Sequence, residues 1–496
     1  MKQHKIHFYI YFWALVLFAI SLPLSEFFIS VAQFILAGNW LWERKFKQKL
    51  TMLAHNKGAL LIISIFIIHI IGLIHTENFK YAFSDIRIKL PLIILPIIIS
   101  TSQPLTKKQV KYILMLFTGA VLGGTFVSTY ILLFTKVTNI RDISLYISHI
   151  RFALLIDIAV FSMFWLIVSG QYALIKIEKI VIPIVITWLL AFLVLMHSVT
   201  GITVLAATSF MLSAVYIFRM KQRIYKLLLL VICLLIPAAV IIFMIRAVNA
   251  FYDTEQINFN ELDSLTARGN PYFHDTSDKT IENGYYVGIY LCEKELKEEW
   301  NKRSPIKYDE QDKRKQWIKY TLIRYLTSKG LRKDAVGMKA LTDKDVENIE
   351  NGLANHIYAD KYSISKRIYE IIWEIDVYMK GRSPDGHSVT QRIEYLRTGL
   401  AIAKDHFWIG VGTGDVQQMF DLYYNKTDSR LSDKWRLKTH NQWITFFITF
   451  GIFGLCWILF AFIYPVILSK HNADFLFIVC FIIIILSMFT EDTLEG

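Results

Sequence analysis

The chain has 496 residues, 54% of them hydrophobic, and its mean hydropathy is +0.40. That is too apolar for an ordinary soluble protein, and the apolar residues come in long runs. The net charge of +13 therefore reads as topology rather than as nucleic-acid binding, because lysines and arginines in short loops orient a membrane protein.

Lys2 and Lys5 precede an apolar run, as in a signal peptide. No small-residue cleavage site follows and further spans do, so the run reads as a retained first helix. Runs suited to membrane helices lie near residues 7–23, 26–42, 58–75, 86–100, 111–135, 151–170, 180–196, 201–218, 225–245, 441–468 and 474–490. The expected fold is an all-α polytopic integral membrane protein of about 11–12 transmembrane helices. One large, mainly helical extracytoplasmic loop domain would lie between the ninth and tenth.

Charge orients these spans. With a cytoplasmic N-terminus, the inside segments hold 17 basic residues: Lys2 and Lys5; Arg44, Lys45, Lys47, Lys49 and Lys57; Lys107, Lys108 and Lys111; Lys176 and Lys179; Arg219, Lys221, Arg223 and Lys226; and Lys470. The short outside segments hold 6: Lys80, Arg87, Lys89, Lys136, Arg141 and Arg151. This bias obeys the positive-inside rule. It divides the chain into membrane helices at 1–245, a periplasmic or extracellular loop domain at 246–439, and C-terminal membrane helices at 440–496.

The loop domain is rich in helix formers. Helices are expected at 291–303, 312–329 and 343–380, without strand alternation or repeats. A turn at Ser383-Pro384-Asp385-Gly386 precedes one more helix, from about Val389 to Lys404. Cys233, Cys456 and Cys480 lie in apolar spans and Cys292 is alone in the loop region, which excludes a disulfide there.

The chain then turns through Gly410-Val-Gly-Thr-Gly-Asp415 and returns to the membrane at 438–454. Thr439 and Gln442 have capping-box spacing. That box would put His440 in the first turn of a membrane helix, where the dipole favours neutral imidazole. Asn441 beside it offers a donor and an acceptor. On this stretch alone an interfacial histidine with no chemical role is the commoner reading, since most histidines near helix ends are only solvated or capped.

There is no Walker A sequence, no HExxH and no convincing D-x-D metal site, so neither metal nor cofactor is expected. Gly410, Gly412 and Gly414 do not form G-x-G-x-x-G and read as a turn. Asp157 is an intramembrane acid, either functional or balancing nearby Arg151. His149, Arg151, His197, Arg246 and His440 all fall at the outer rim, and Arg392 and Arg397 lie on the last loop helix, able to fold over it. Arginine forks bind phosphate oxygens in pairs. Such a rim facing a neutral histidine suits transfer from a phosphate-linked lipid. Each arginine could instead anchor the interface or pair with an acid such as Glu394.

The order of features resembles the O-antigen ligase and O-antigen polymerase superfamily of bacterial membrane glycosyltransferases. The matching residues are Gln391-Arg392-Ile393-Glu394-Tyr395-Leu396, Ala401-Ile402-Ala403, Trp408-Ile-Gly-Val-Gly-Thr-Gly414, Thr439-His440-Asn441-Gln442-Trp443 and Phe450-Gly451-Ile-Phe-Gly454. The resemblance implies that His440 is the catalytic base and that Arg392 binds the donor. Arg151 is the best match to a second family arginine. Arg397, Asn441, His149 and Arg246 are the further substrate-binding candidates. Ser198-Val-Thr-Gly201 resembles the family's Ser-Arg-Gly turn but lacks its arginine. Glu491-Asp492-Thr493-Leu494-Glu495 resembles a segment that the family usually follows with one more helix, which implies a shortened form or a fragment.

The resulting expectation is a metal-independent, inverting glycosyltransferase, monomeric, in the bacterial cytoplasmic (inner) membrane. The donor would be a glycan on undecaprenyl pyrophosphate. The acceptor would be a hydroxyl of lipid A-core, of another glycan or of a protein, with membrane lipid around it and no nucleic acid. A repeat-unit polymerase of the same superfamily fits as well. A lipid-glycan flippase or transporter would show inverted repeats and midplane charges. A membrane-anchored sensor gives no reason for His440.

Overall fold

The computed structural model describes residues 2–135, 140–359, 364–468 and 475–495. Lys136 and Lys470 of the charge count, and residues 360–363 of the helix expected at 343–380, lie outside these. The described residues form an all-α membrane protein. Seven of their helical segments are long and apolar enough to cross a bilayer, and two shorter apolar helices lie at Lys5–Ser21 and Phe475–Ser487.

The chain divides into two compact units, Met1–Leu229 with Ser383–Gly496, and Leu230–Arg382. The first unit opens with α1 (Lys2–Ser21) and α2 (Glu26–Trp42), paired as a hairpin, and the short α3 (Phe46–His55). Then come α4 (Lys57–Ile71), α5 (Phe79–Lys89), α6 (Pro91–Thr101), α7 (Lys107–Phe134), α8 (His149–Val168), α9 (Lys176–Leu195) and α10 (Val199–Arg219). The apolar run expected as one span at 86–100 is divided. Pro91 starts a new helix, and the 11 residues of α6 reach only about 16 Å, half of a bilayer core of about 30 Å. Thr106 and Gln109 close a true capping box on α7.

The core of this unit is α8. Its Phe152, Ile156, Ala159 and Val160 pack on Phe117 and Val121 of α7 and on Leu189, Phe192 and Leu193 of α9. Its opposite side meets Val204 of α10, and Val479 and Ile483 of α20, defined below. Among the described residues, Asp157, fully buried in α8, has no hydrogen-bond partner on either carboxyl oxygen.

The helix α11 (Arg223–Tyr252) leads from one unit into the other and buries none of its residues. The second unit continues with α12 (Glu293–Arg303), α13 (Ile318–Ser328), α14 (Ala335–Ala340), α15 (Asp343–Glu350) and α16 (Ile364–Met379). Its core holds Trp300, Tyr308, Leu322, Tyr325 and Ile349. Trp300 Nε1 donates to the Ile306 carbonyl at 2.8 Å and Tyr325 OH to Asp345 at 2.7 Å, so these rings are buried without stranding their polar ends. The single helix expected at 343–380 is two helices, separated after Gly352, whose φ is 75°. A two-stranded ribbon pairs β1 (Ile281–Glu282) with β2 (Tyr285–Tyr286), where no strand was expected.

The chain rejoins the first unit with α17 (Ser388–Asp405), α18 (Val416–Lys426), α19 (Gln442–Leu468) and α20 (Phe475–Ser487). The first three share a core of Tyr395, Ile402, Val416, Phe420, Tyr424 and Ile448. The tail of the expected loop domain, from Ser383 onward, thus packs with the membrane helices of the first unit.

Candidate active site

α19 is broken in its middle. Gly451 takes φ 64° and ψ −168°, outside helical space. The glycine turn fills the gap: Val411 N–H donates to the Ile448 carbonyl at 2.9 Å, Gly412 N–H to Thr449 at 3.0 Å, and Ile452 N–H returns to Phe407 at 2.8 Å. These bonds satisfy backbone groups that the break frees inside a membrane helix. A β-carbon on Gly410 would lie 2.4 Å from the Thr449 backbone, so only glycine permits the approach. On the far side of the turn, Asp415 accepts from the backbone N–H groups of Glu77 and Asn78 at 2.9 and 2.8 Å. The expected turn is present, and it joins the link between α4 and α5 to α19.

Two tyrosines pin the stretch before α19. Tyr395 OH donates to the Trp435 carbonyl at 2.9 Å, and Tyr424 OH donates to the Leu437 carbonyl. Gly399 of α17 lets the chain lie close, since a β-carbon there would be 2.5 Å from the Thr439 methyl. The expected capping box does not form. Asn441 is the cap: its Oδ1 accepts from Ile444 N–H at 3.1 Å, and its Nδ2 donates to the Phe489 carbonyl at 3.1 Å. Gln442 instead accepts from Leu494 N–H at 2.8 Å. His440 therefore stands one residue before the cap, with φ 49°. The left-handed turn there aims the ring back across α17, 5.7 Å from the Tyr395 ring.

The segment after α20 folds over this helix end. Thr445 Oγ1 donates to Asp492 at 2.8 Å. Glu491 lies between two expected site residues: one oxygen is 3.3 Å from the Arg392 guanidinium, and the other is 3.9 Å from His440 Nδ1. Arg151 is near enough to act on the Glu491 charge. Burial holds His440 below the ordinary histidine range, and Arg392 adds to this, against the opposing pull of Glu491. Burial, not the helix dipole, thus favours neutral imidazole. Burial also raises Glu491, and pushes Asp492 up to about 6. Glu495 shows the opposite balance. Its burial is outweighed by Lys89 at 3.2 Å and Lys438 at 2.8 Å, which hold it down to about 2.

His440 and Arg392 therefore share one carboxylate, with Arg151 in electrostatic reach. The other candidates are placed elsewhere or already engaged. Arg397 pairs with the buried Glu394 at 3.7 Å. Asn441 is used as cap and clasp. His149 lies 3.5 Å from Ser144 Oγ, with Arg141 and His197 close by. Arg246 belongs to the second compact unit. Glu491, Asp492 and Glu495 had no expected role. Their signal was present: three carboxylates within five residues, directly after an apolar span. Among the described residues no group of three His, Cys, Asp or Glu side chains is placed to hold a metal ion.

Residues 346–459 match the protein-family model described as O-antigen ligase. Over that stretch the chain is similar to O-antigen ligases, and the match supports the O-antigen ligase and polymerase superfamily, whose members are glycosyltransferase-like enzymes acting on glycans and lipid-linked substrates. The O-antigen ligase match takes in Arg392, the glycine turn, His440 and Gly451, and leaves Arg151 and Glu491 outside. A comparison with curated proteins returned no match.

Proposed function

We propose that this protein transfers a glycan from undecaprenyl pyrophosphate to an acceptor hydroxyl on the outer face of the bacterial cytoplasmic membrane, as an O-antigen ligase does. The reading rests on one observation, the convergence of Arg392 and His440 on Glu491 at the head of α19. Among the described residues, Glu491 is the one carboxylate paired with Arg392, which leaves most of its fork for phosphate oxygens. Arg151 adds a second positive charge. His440 takes the proton of the acceptor hydroxyl. The hydroxyl oxygen attacks the anomeric carbon, the bond from that carbon to the pyrophosphate breaks, and undecaprenyl pyrophosphate leaves with the electron pair. A single displacement inverts the anomeric configuration and draws its energy from the donor's own pyrophosphate linkage, with no metal in the scheme. Glu491, 3.9 Å from the ring, favours the imidazolium once it forms. Residues 246–439 stand on the outer face in this scheme.

The test is transfer by purified His440→Gln protein in nanodiscs. Loss of a positioned base costs on the order of 100- to 10,000-fold in turnover, with donor binding and thermal stability near wild type. A stable variant that turns over normally would show that His440 is not the base. Deleting the gene separates the superfamily's two activities: a ligase leaves full-length polymer on the lipid carrier, and a polymerase leaves single repeat units.

A further inference from the structure

At the far end of the first hairpin the chain makes a sharp turn. Arg44 and Lys45 both take left-handed φ, 59° and 49°. The helix α3 that follows has ten residues, too few to cross a membrane. Its Phe46, Leu50 and Met52 are exposed, beside exposed Lys47 and Thr51. A short helix with uncovered apolar side chains and adjacent lysines is suited to lie in the plane of a membrane surface.

Between α3 and the ends of α1, α2 and α6 is a cavity of about 170 Å³. That is smaller than the roughly 300–1,000 Å³ of a pocket for a drug-sized ligand, and it suits a headgroup. His7, Trp40, Lys45, Lys49, Thr101 and Ser102 are among its lining residues. Its walls are fixed by hydrogen bonds. Asn39 exchanges two with His7, at 2.9 and 3.0 Å, and Trp40 Nε1 donates to Thr101 at 2.8 Å.

The decisive residue is Lys49, which is 3% exposed. Its ammonium donates to the Trp40 carbonyl at 2.7 Å and pairs with Glu43 at 3.0 Å. The ammonium also stands 4.6 Å over the Trp40 ring, so Trp40 and Glu43 hold it as a fixed positive charge on the cavity wall. Glu43 is shared with Lys45 at 3.6 Å, so the cavity holds two ammonium groups against one carboxylate. Arg44 and Lys47 flank Lys45 in the sequence and are exposed. Basic pockets between membrane helices at the surface are suited to lipid phosphate. A free anion would need only the charge. The exposed Leu41, Trp42 and Ile99 beside the cavity also give acyl chains a surface to lie on.

We propose that this cavity binds the phosphate headgroup of an anionic phospholipid. The site is separate from His440 and does not rest on the glycosyl-transfer reading. The probe is phosphatidylglycerol against phosphatidylcholine with the same chains, added to delipidated full-length protein and counted by native mass spectrometry. Wild type should favour phosphatidylglycerol by about tenfold or more, and Lys45→Glu and Ser102→Glu should remove that preference. Both changes sit at the rim, so the delipidated proteins should melt together with wild type. Lys49→Gln should also lose the preference, and the rim variants decide the matter if it fails to fold. Equal binding of the two lipids by wild type, or wild-type preference in both rim variants, would overturn the proposal. So would displacement of the lipid by about 10 mM inorganic phosphate, which would mark a site for free anions.

Discussion

Val411 donates its backbone N–H to the Ile448 carbonyl at 2.9 Å, across the break that Gly451 makes in α19. A β-carbon on Gly451 would lie 2.3 Å from the Trp408 backbone, and both Gly410 and Gly451 have positive φ. Gly451→Ala and Gly410→Ala should therefore each destabilise the protein, by roughly 1–3 kcal/mol for the backbone conformation alone and more for the clash. Gly123→Ala on α7 is the control, since a β-carbon there meets nothing within 4 Å. Thermal unfolding in detergent checks this. Melting of Gly410→Ala together with Gly123→Ala would show that the turn does not hold α19.

The parts of the fold legible in sequence were those set by local pattern. Length and hydropathy marked the long spans, and the turn at Ser383-Pro384-Asp385-Gly386 placed the start of α17 within a residue or two. His440 and Arg392 were legible as a pair because the rim chemistry and the family order agreed. The exact helix start was not, because Thr439 and Asn441 are both good caps, and a tertiary bond from Leu494 takes the Gln442 side chain that the box needed. The break at Gly451 was hidden for a similar reason. A glycine in an apolar run reads as helix until another backbone supplies the missing partners. Glu491 was visible as an acid, but its position between Arg392 and His440 depends on α20 packing beside α8.

Glu495 joins Lys89 of α5 to Lys438 before α19, and Asp85 also contacts Lys89. Glu495→Gln leaves two buried ammonium groups short of a counter-charge and should cost about 3–5 kcal/mol. Adding Lys438→Met should restore part of it. The pH sign follows from a folded value of about 2 against an ordinary 4.5. The carboxylate's contribution is fully present above 4.5 and is lost as pH falls toward 2. Melting temperatures of wild type and Glu495→Gln should converge over that window, and parallel curves would show that the ion pairs are not the source.

Orientation is open to direct labelling. In a background with the four native cysteines replaced, Ser277→Cys should react with a membrane-impermeant maleimide in cells whose outer membrane, where there is one, has been permeabilised. Gln222→Cys should react only after lysis. Both side chains are exposed, so silence at either reports the membrane rather than burial. The reverse pattern would place His440 on the cytoplasmic side and remove the proposed reaction.

The pH profile of transfer separates the two neighbours of His440. Only neutral imidazole accepts a proton, so kcat/KM should rise with pH along an acid limb. Burial and Arg392 place that limb below the ordinary histidine value of 6.5. Glu491 favours the cation, so Glu491→Gln should move the limb to lower pH. Arg392 disfavours it, so Arg392→Gln should move the limb to higher pH while weakening donor binding. Arg392→Lys keeps the charge and should leave the limb near wild type, but it loses the planar fork and recovers donor affinity only in part. Opposite displacements in the two neutral variants are the signature of His440 as the titrating base. Displacement of both in one direction, or of neither, would assign the limb to another group.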